Sequence, residues 1–317
     1  MATYFDGSNA VQTSNVTGKF IPAVWSDEIV AAYKKNLVLA NLIKRMNFKG
    51  KKGDTVYIPS PNRGTASAKA GATTVTIQAV SPNSNIAVSI NKHYEYSHLI
   101  EDIVETQALT SLRQFYTDDA GYALAKQVDT DLIKLGRTFN GGAGARYAGA
   151  YIGGDGTTAY DYTTDNQSAL TDAAIRRTIQ RLDDQDVPMD GRFFLIPPSS
   201  RNTLMGLARY TEQAFVGESG NANTIRNGEI GNLYGVPVFT TTNADTPNDA
   251  NDGSGTAQSA RVCLMGHKDS MILVEQQGIR SQVQYKQEWL ANLFTSDTIY
   301  GVSELRDYGC VALVVPS

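Results

Sequence analysis

Apolar residues return every three or four positions from Leu109 to Leu135. Leu109, Leu112, Tyr116, Ala120, Leu124, Val128, Leu132 and Leu135 share one face of a helix that this spacing predicts over 102–139. No proline interrupts it, and Gly141 with Gly142 closes it. At ~1.5 Å per residue such a helix is a rod on the order of 45 Å, with Gly121 as the expected bend. Shorter helices are predicted at three places. One follows Ser26 as N-cap, with Ile29, Val30, Tyr33, Leu37 and Leu42 at helical spacing. A second is capped by Thr171 or Asp172 and carries Ile175, Ile179 and Leu182 to about Gln185. A third is capped by Ser199 or Ser200 and runs through Leu204 and Leu207.

Between these helices the pattern shortens to strands. Val56 to Ile58, Thr73 to Ala79 and Asn85 to Ile90 read as β, the last with Ile86, Val88 and Ile90 alternating. Together they predict a long β arm over 54–90 whose tip, Arg63 to Gly71, is small and polar. A two-stranded ribbon with so little apolar surface is marginal in water by itself, so the arm is expected to lie on another subunit. Arg192 to Pro197 is a buried strand, Val236 to Thr242 a short one with Pro237 at its start or edge, and Arg261 to Met265 another. Gly278 to Glu288 alternates in polarity, and Tyr308 to Val315 is a strongly apolar terminal strand. Segment 141–169 reads as a loop or a small sheet excursion, 244–259 is a polar insertion, and residues 1 to about 20 form a polar arm. Strands alternating with helices after 170 predict a compact sheet domain within a mixed α+β chain.

Composition narrows the function. In 317 residues, 41% are hydrophobic, enough for a large buried core without covalent staples. The two cysteines, Cys263 and Cys310, sit in apolar strands with nothing to force pairing, which suits a reducing cytoplasm. No apolar run reaches the ~20 residues of a membrane helix, and the first residues lack a signal-peptide pattern, so no membrane partner is expected. A formal charge of -4 disfavours a dedicated nucleic-acid binder. Local positive charge is concentrated at Lys44, Arg45, Lys49, Lys51 and Lys52, as a solvated face and turn or as a contact with phosphates or an acidic partner.

Candidate chemistry is sparse. His93, Glu95, His98 and Glu101 have the residue types of a metal site, but without HExxH spacing and at an expected strand-to-helix junction. The loop Asp245 to Gly255 fails the calcium pattern, because counting from Asp249 the twelfth position is Ala260. The glycines from Ile152 to Gly156 lack the Lys and Ser/Thr of a phosphate loop, and no GxSxG elbow is present. Asp183, Asp184 and Asp186 read as a solvated helix end. With three histidines in the chain, acid–base catalysis has few candidates. The expectation is a protein that is not an enzyme and uses no metal or other cofactor.

Taken in order, several segments resemble the major capsid proteins of tailed bacteriophages, the Hong Kong 97 capsid fold. They are Phe20 to Asn36 (FIPAVWSDEIVAAYKKN), Lys52 to Pro59 (KGDTVYIP), Ala123 to Lys134 (ALAKQVDTDLIK), Phe193 to Met205 (FFLIPPSSRNTLM), Asn227 to Asn243 (NGEIGNLYGVPVFTTTN) and the apolar C-terminal strand. The resemblance implies an N-terminal arm over 1–25, an extended β loop over 54–90, and a spine helix over 102–139. It implies a peripheral domain over 26–53 and 91–169, an axial domain over 170–268, and strands of 269–317 returning to the peripheral domain. Its implied function is a shell of pentamers and hexamers around double-stranded DNA, with weak non-specific contact to the genome. The implied place is the virion capsid, assembled in the host bacterial cytoplasm. Implied partners are further copies of the chain, a separate scaffolding protein, a portal protein at one vertex and a decoration or cement protein. Phe20, Trp25, Arg63, Lys69 and Tyr234 are the implied inter-subunit contacts, and the basic run from Lys44 to Lys52 would face the lumen. Some members join an extended-loop lysine to a neighbour's asparagine; Lys69 stands in that loop, with no partner asparagine identifiable. A bacterial encapsulin shell is the alternative of the same fold.

Overall fold

A computed structural model describes residues 38–60, 64, 66–75, 77, 85–102, 112–139, 151–160, 167–207, 231–246 and 260–317. The expected polar arm and the helix after Ser26 as far as residue 37 lie outside these residues, while the expected helix end at Leu42 is described and helical.

Two sheets and one long helix carry the structure. Helix α1 is Leu39–Leu42. Strands β1 (Lys44–Asn47), β2 (Thr55–Pro59), β3 (Asn85–Ser89) and β4 (Lys92–Glu101) follow. Helix α2 (Leu112–Lys134) passes through a 3-10 turn, Leu135–Arg137. Next come β5 (Tyr151–Gly153), α3 (Asp172–Asp184), β6 (Arg192–Ile196), α4 (Pro198–Met205), β7 (Asn232–Leu233) and β8 (Val236–Thr240). The chain ends with β9 (Ala260–His267), β10 (Met271–Lys286), β11 (Ala291–Glu304) and β12 (Cys310–Pro316). One sheet has the order β1-β10-β11-β4 and the other β5-β12-β9-β6-β8-β7, while β2 and β3 form a separate ribbon.

The six-stranded sheet explains the continuous apolar runs. Phe193, Leu195, Val262, Leu264, Ala312 and Val314 point to one side, where Leu132 and Ile133 of α2 and Leu39 of α1 join them. Their neighbours Phe194, Ile196, Cys263, Met265, Leu313 and Val315 point to the other, onto Ile175 and Leu182 of α3 and Leu204 of α4. A strand covered on both faces reads as unbroken hydrophobicity and not as alternation. The same geometry keeps the thiols apart: Cys263 belongs to one core and Cys310 to the other, and both are buried and reduced. Met271, Leu273 and Tyr300 of the four-stranded sheet also enter the first core, so α2 is wedged between the two sheets.

Several elements follow the sequence closely. Thr171 caps α3 by accepting from the Ala174 amide at 3.2 Å. The turn between β7 and β8 places Tyr234 and Gly235 at φ 52° and 83°, the two left-handed positions of a tight hairpin. Pro237 pairs with Asn232, ahead of the β8 register with β6 that begins at Val238.

Others require correction. The helix expected from Ser199 or Ser200 starts at Pro198, whose missing N–H costs nothing in a first turn. Ser199 Oγ instead donates to the Pro316 carbonyl at 3.0 Å, and Ser200 Oγ lies 3.3 Å from Cys263 Sγ. The α-helical part of α2 ends at Lys134, short of 139, because the chain tightens into 3-10 geometry. Thr73 to Val75 and Ile77 form no strand; Val75 and Ile77 are 69% and 88% exposed, so β propensity finds no partner strand among the described residues. The stretch read as a strand-to-helix junction is strand throughout, as β4 runs to Glu101. Strand β11 and the Met271 end of β10 carried no recognised pattern. The strands after 268 also divide: β10 and β11 pair with β1 and β4, whereas β12 pairs with β9 and β5 in the six-stranded sheet.

The ribbon is less independent than its polarity suggests. Val56 pairs with Val88 and Ile58 with Ile86, and these side chains pack with Ile90, Ile272 and Val274 in a third core. Val88 is fully buried, so the ribbon's base is anchored in its own subunit. The Gly301 Cα faces this base so closely that a Cβ there would lie 2.4 Å from the Ser89 carbonyl oxygen.

Candidate functional site

Among the described residues, those that sequence motifs single out do not converge on a chemical site. Successive strand residues face opposite ways, so His93 and Glu95 share one face of β4 while His98 lies on the other. His93 Nε2 is 3.3 Å from Asp297 Oδ2, and His98 Nε2 is 2.9 Å from the Tyr96 hydroxyl. Among the described residues no three His, Cys, Asp or Glu side chains are grouped to hold a metal. In the glycine loop after β5, Asp155 accepts from the Thr157 and Thr158 amides at 3.0 and 3.1 Å and from the Thr158 hydroxyl at 2.7 Å. Burial pushes this carboxyl up, but those hydrogen bonds outweigh it and hold the pKa at about 2. The Thr157 and Thr158 amides are thus taken by Asp155, and the Gly156 amide by the Gly153 carbonyl. Asp183 is not merely solvated: it accepts from the buried guanidinium of Arg192 at 2.6 Å. Asp245, the first residue of the rejected calcium loop, is itself buried.

What the structure builds instead is a set of projecting and anchoring parts. The first is the β10–β11 hairpin. Met271 to Val274 are fully buried at its base, yet from Gly278 to Tyr285 every residue of β10 is exposed. The change comes at two register shifts between Glu275 and Arg280. There Asp297 gathers Arg280 through Nε and a terminal amino group, both at 3.0 Å, and Gln277 at 2.9 Å. The Arg280 guanidinium holds this carboxyl below the usual aspartate value despite the opposing effect of burial. The hairpin tip carries Trp289 and Leu290, each 65% exposed. Tyr285 donates to Asp102 Oδ2 at 2.7 Å, and the Asp102 amide to the Leu290 carbonyl at 3.1 Å, tying the tip to the end of β4. Bonding to Asp102 raises the Tyr285 pKa.

The second part is the seat of α2, which sequence reasoning missed. Asp129 Oδ1 accepts from the Leu39 and Ala40 amides of α1 at 3.0 and 3.4 Å, and its Oδ2 from Asn243 Nδ2, beyond β8, at 3.2 Å. Burial raises its pKa and these three bonds oppose the rise. Two positions on, Asp131 receives Lys92 of β4 at 3.1 Å and the Tyr300 hydroxyl of β11 at 2.7 Å. Burial and this carboxylate push the Tyr300 pKa far upward. Two acids of one helix thus tie it to α1 and the segment after β8 on one hand and to the four-stranded sheet on the other. The available signal was two aspartates inside an apolar stripe, VDTDL.

The expected contact residues are scattered over these parts. Phe20, Trp25 and Arg63 lie outside the described residues, and Lys69 is exposed beyond β2. Tyr234 is 46% exposed, with its hydroxyl donating to Asp172 in the first turn of α3. Lys44, Arg45, Lys49, Lys51 and Lys52 are all exposed, but Lys44 and Arg45 leave opposite faces of β1. Arg45 is drawn back onto α1, donating to the Ala40 carbonyl at 2.8 Å and to Asn41 at 3.3 Å.

Against known proteins, the model of the phage capsid family matches residues 17–297. The chain belongs to the phage capsid family. No curated protein matches this capsid protein. Among solved structures, a chain from Mycobacterium phage Che8 superposes with a TM-score of 0.72 at 22% identity, covering 93% of this chain and 97% of that one. A capsid structure of the cyanophage P-SCSP1u gives 0.72 at 16% identity, covering 94% of each chain. The mature capsid of bacteriophage PhiM1 gives 0.70 at 14% identity, covering 99% and 96%. At these identities the likeness establishes the fold, which is of the Hong Kong 97 type. Family and fold together make the protein a phage capsid subunit and place it in the virion shell.

Proposed function

We propose that the protein is the major capsid protein of a tailed phage, forming pentamers and hexamers of an icosahedral shell around double-stranded DNA. The single observation that carries this reading is the family match over 17–297. The four-stranded sheet with α2 would serve as the peripheral domain and spine, and the six-stranded sheet as the axial domain. Assembly would take place in the host bacterial cytoplasm, with a separate scaffolding protein, a portal at one vertex and an optional decoration protein. Phe20, Trp25, Arg63, Lys69 and Tyr234 remain the proposed inter-subunit contacts. The basic run Lys44, Arg45, Lys49, Lys51 and Lys52 is proposed to touch packaged DNA weakly, as phosphate attraction without base reading.

In this role the β2–β3 ribbon is the part that laps onto neighbours. Its base is held by Val88 and Ile90, while Tyr57, Val75 and Ile77 remain 67%, 69% and 88% exposed. Exposed apolar side chains on an anchored arm fit contacts with another copy. Deleting Arg63 to Gly71 is expected to leave a folded subunit with unchanged circular dichroism. The same deletion should abolish or strongly weaken shell assembly in velocity sedimentation. Shells as abundant and as stable as those of the full-length protein would overturn this role.

A further inference from the structure

The hairpin tip exposes apolar side chains, and a cavity beside α2 offers an apolar wall. The cavity has a volume of about 320 Å³, and its apolar wall includes Ala40, Ala125, Val128 and Leu273, with Arg45 and Glu275 as its charged members. Hydrophobic walls with a few placed polar groups are the usual character of a pocket that accepts a partner group. The same chain carries Trp289 and Leu290 exposed at the tip of β10–β11, flanked by Lys286 and Glu288. An indole is a large apolar body with one N–H donor. Glu275 can accept from it, and the Arg45 guanidinium can lie on its face.

The tip cannot fill the cavity of its own subunit. Ile279 lines that cavity, and from there β10 is paired with β11 without a break from Arg280 to Lys286. Seven residues at ~3.3 Å place the tip roughly 23 Å away, so folding back would require breaking that ladder. We propose that Trp289 of one copy inserts into this cavity of a second copy, as a knob-in-hole contact repeated head to tail through the assembly. Each copy then offers one knob and one hole, the arrangement from which rings and closed shells are built. The inference rests on the capsid reading and adds to it a named contact. One aromatic side chain buries far less than the ~800 Å² per partner of a standard interface, so Trp289 is an anchor within a larger contact area.

Trp289→Ala removes an exposed side chain, and the variant should fold as the unmodified protein does. Its critical concentration for shell assembly should rise about tenfold or more, with Trp289→Phe recovering most of the loss. Position is tested separately by pairing Leu290→Cys with Asn41→Cys, which is exposed on α1 beside Ala40. Cys263 and Cys310 are buried and stay silent. A short bis-maleimide applied to assembled shells should link chains into multimers on a denaturing gel, while neither single variant gives a ladder. Trp289→Ala assembling at the unmodified concentration, or shells of the double variant without interchain links, would overturn the contact. If the unmodified protein formed no shells at all, the capsid reading would fall and this contact with it, a result distinct from shells that form without Trp289.

Discussion

Replacing Asp129 by alanine should destabilise the subunit by about 3 kcal/mol, because it strips the acceptor from two buried donors and one part-buried donor at once. The carboxylate is fully buried and accepts from Leu39 N, Ala40 N and Asn243 Nδ2. Alanine has no acceptor to offer, and the cavity it leaves is closed to solvent by α1 and the segment after β8. The loss should be accompanied by detachment of α1, seen as faster amide exchange at Leu39 and Ala40. Its pH dependence has a definite sign. Burial raises the Asp129 pKa above the unfolded value, so the group's stabilising contribution is complete below the unfolded pKa and declines as pH rises through the folded one. The gap between the unmodified protein and the variant should therefore be widest in acid and narrower at neutral pH. Urea unfolding at several pH values measures both; a gap of less than 1 kcal/mol throughout would contradict the role assigned to Asp129.

Gly301→Ala should cost a further 2 to 3 kcal/mol, roughly, by a different route. The added Cβ would sit 2.4 Å from the Ser89 carbonyl oxygen and 3.1 Å from the Ile90 Cα, both backbone atoms that no side-chain rotation can move away. Strand β3 must shift outward, and with it the ribbon that Val88 and Ile90 anchor against Ile272 and Val274. The expected signature is selective: proteolysis of the ribbon accelerates, while α3, packed on the far side of the six-stranded sheet, keeps its amide protection. Unchanged ribbon cleavage and unchanged unfolding would show that β3 does not lie as close to β11 as described.

Local signals were legible where local physics decides. Thr171 ahead of an amphipathic run specified α3, and apolar runs covered on both faces specified β6 and β12. Strand β11 escaped notice because Ser296, Asp297 and Thr298 are buried polar residues, made tolerable by Arg280 and Gln277 from the adjacent strand. Nothing in the segment itself announces those partners. The Thr73 to Ala79 region fails the other way: its residues favour strand, but among the described ones none finds a pairing edge. The sheet that β12 joins is a matter of topology, since its partner β9 precedes it by two long strands. The assembly parts are legible only in outline for the same reason. Trp289 is one aromatic in a polar turn until the hairpin holds it out, and Asp129 is one acid in a helix until α1 and Asn243 close on it.

Electron cryomicroscopy of the purified protein under assembling conditions tests most directly whether this chain closes into a shell. Closed icosahedral particles of pentamers and hexamers are expected, with each subunit's ribbon lying on a neighbour. Monodisperse monomers, under conditions where the subunit is folded, would contradict it.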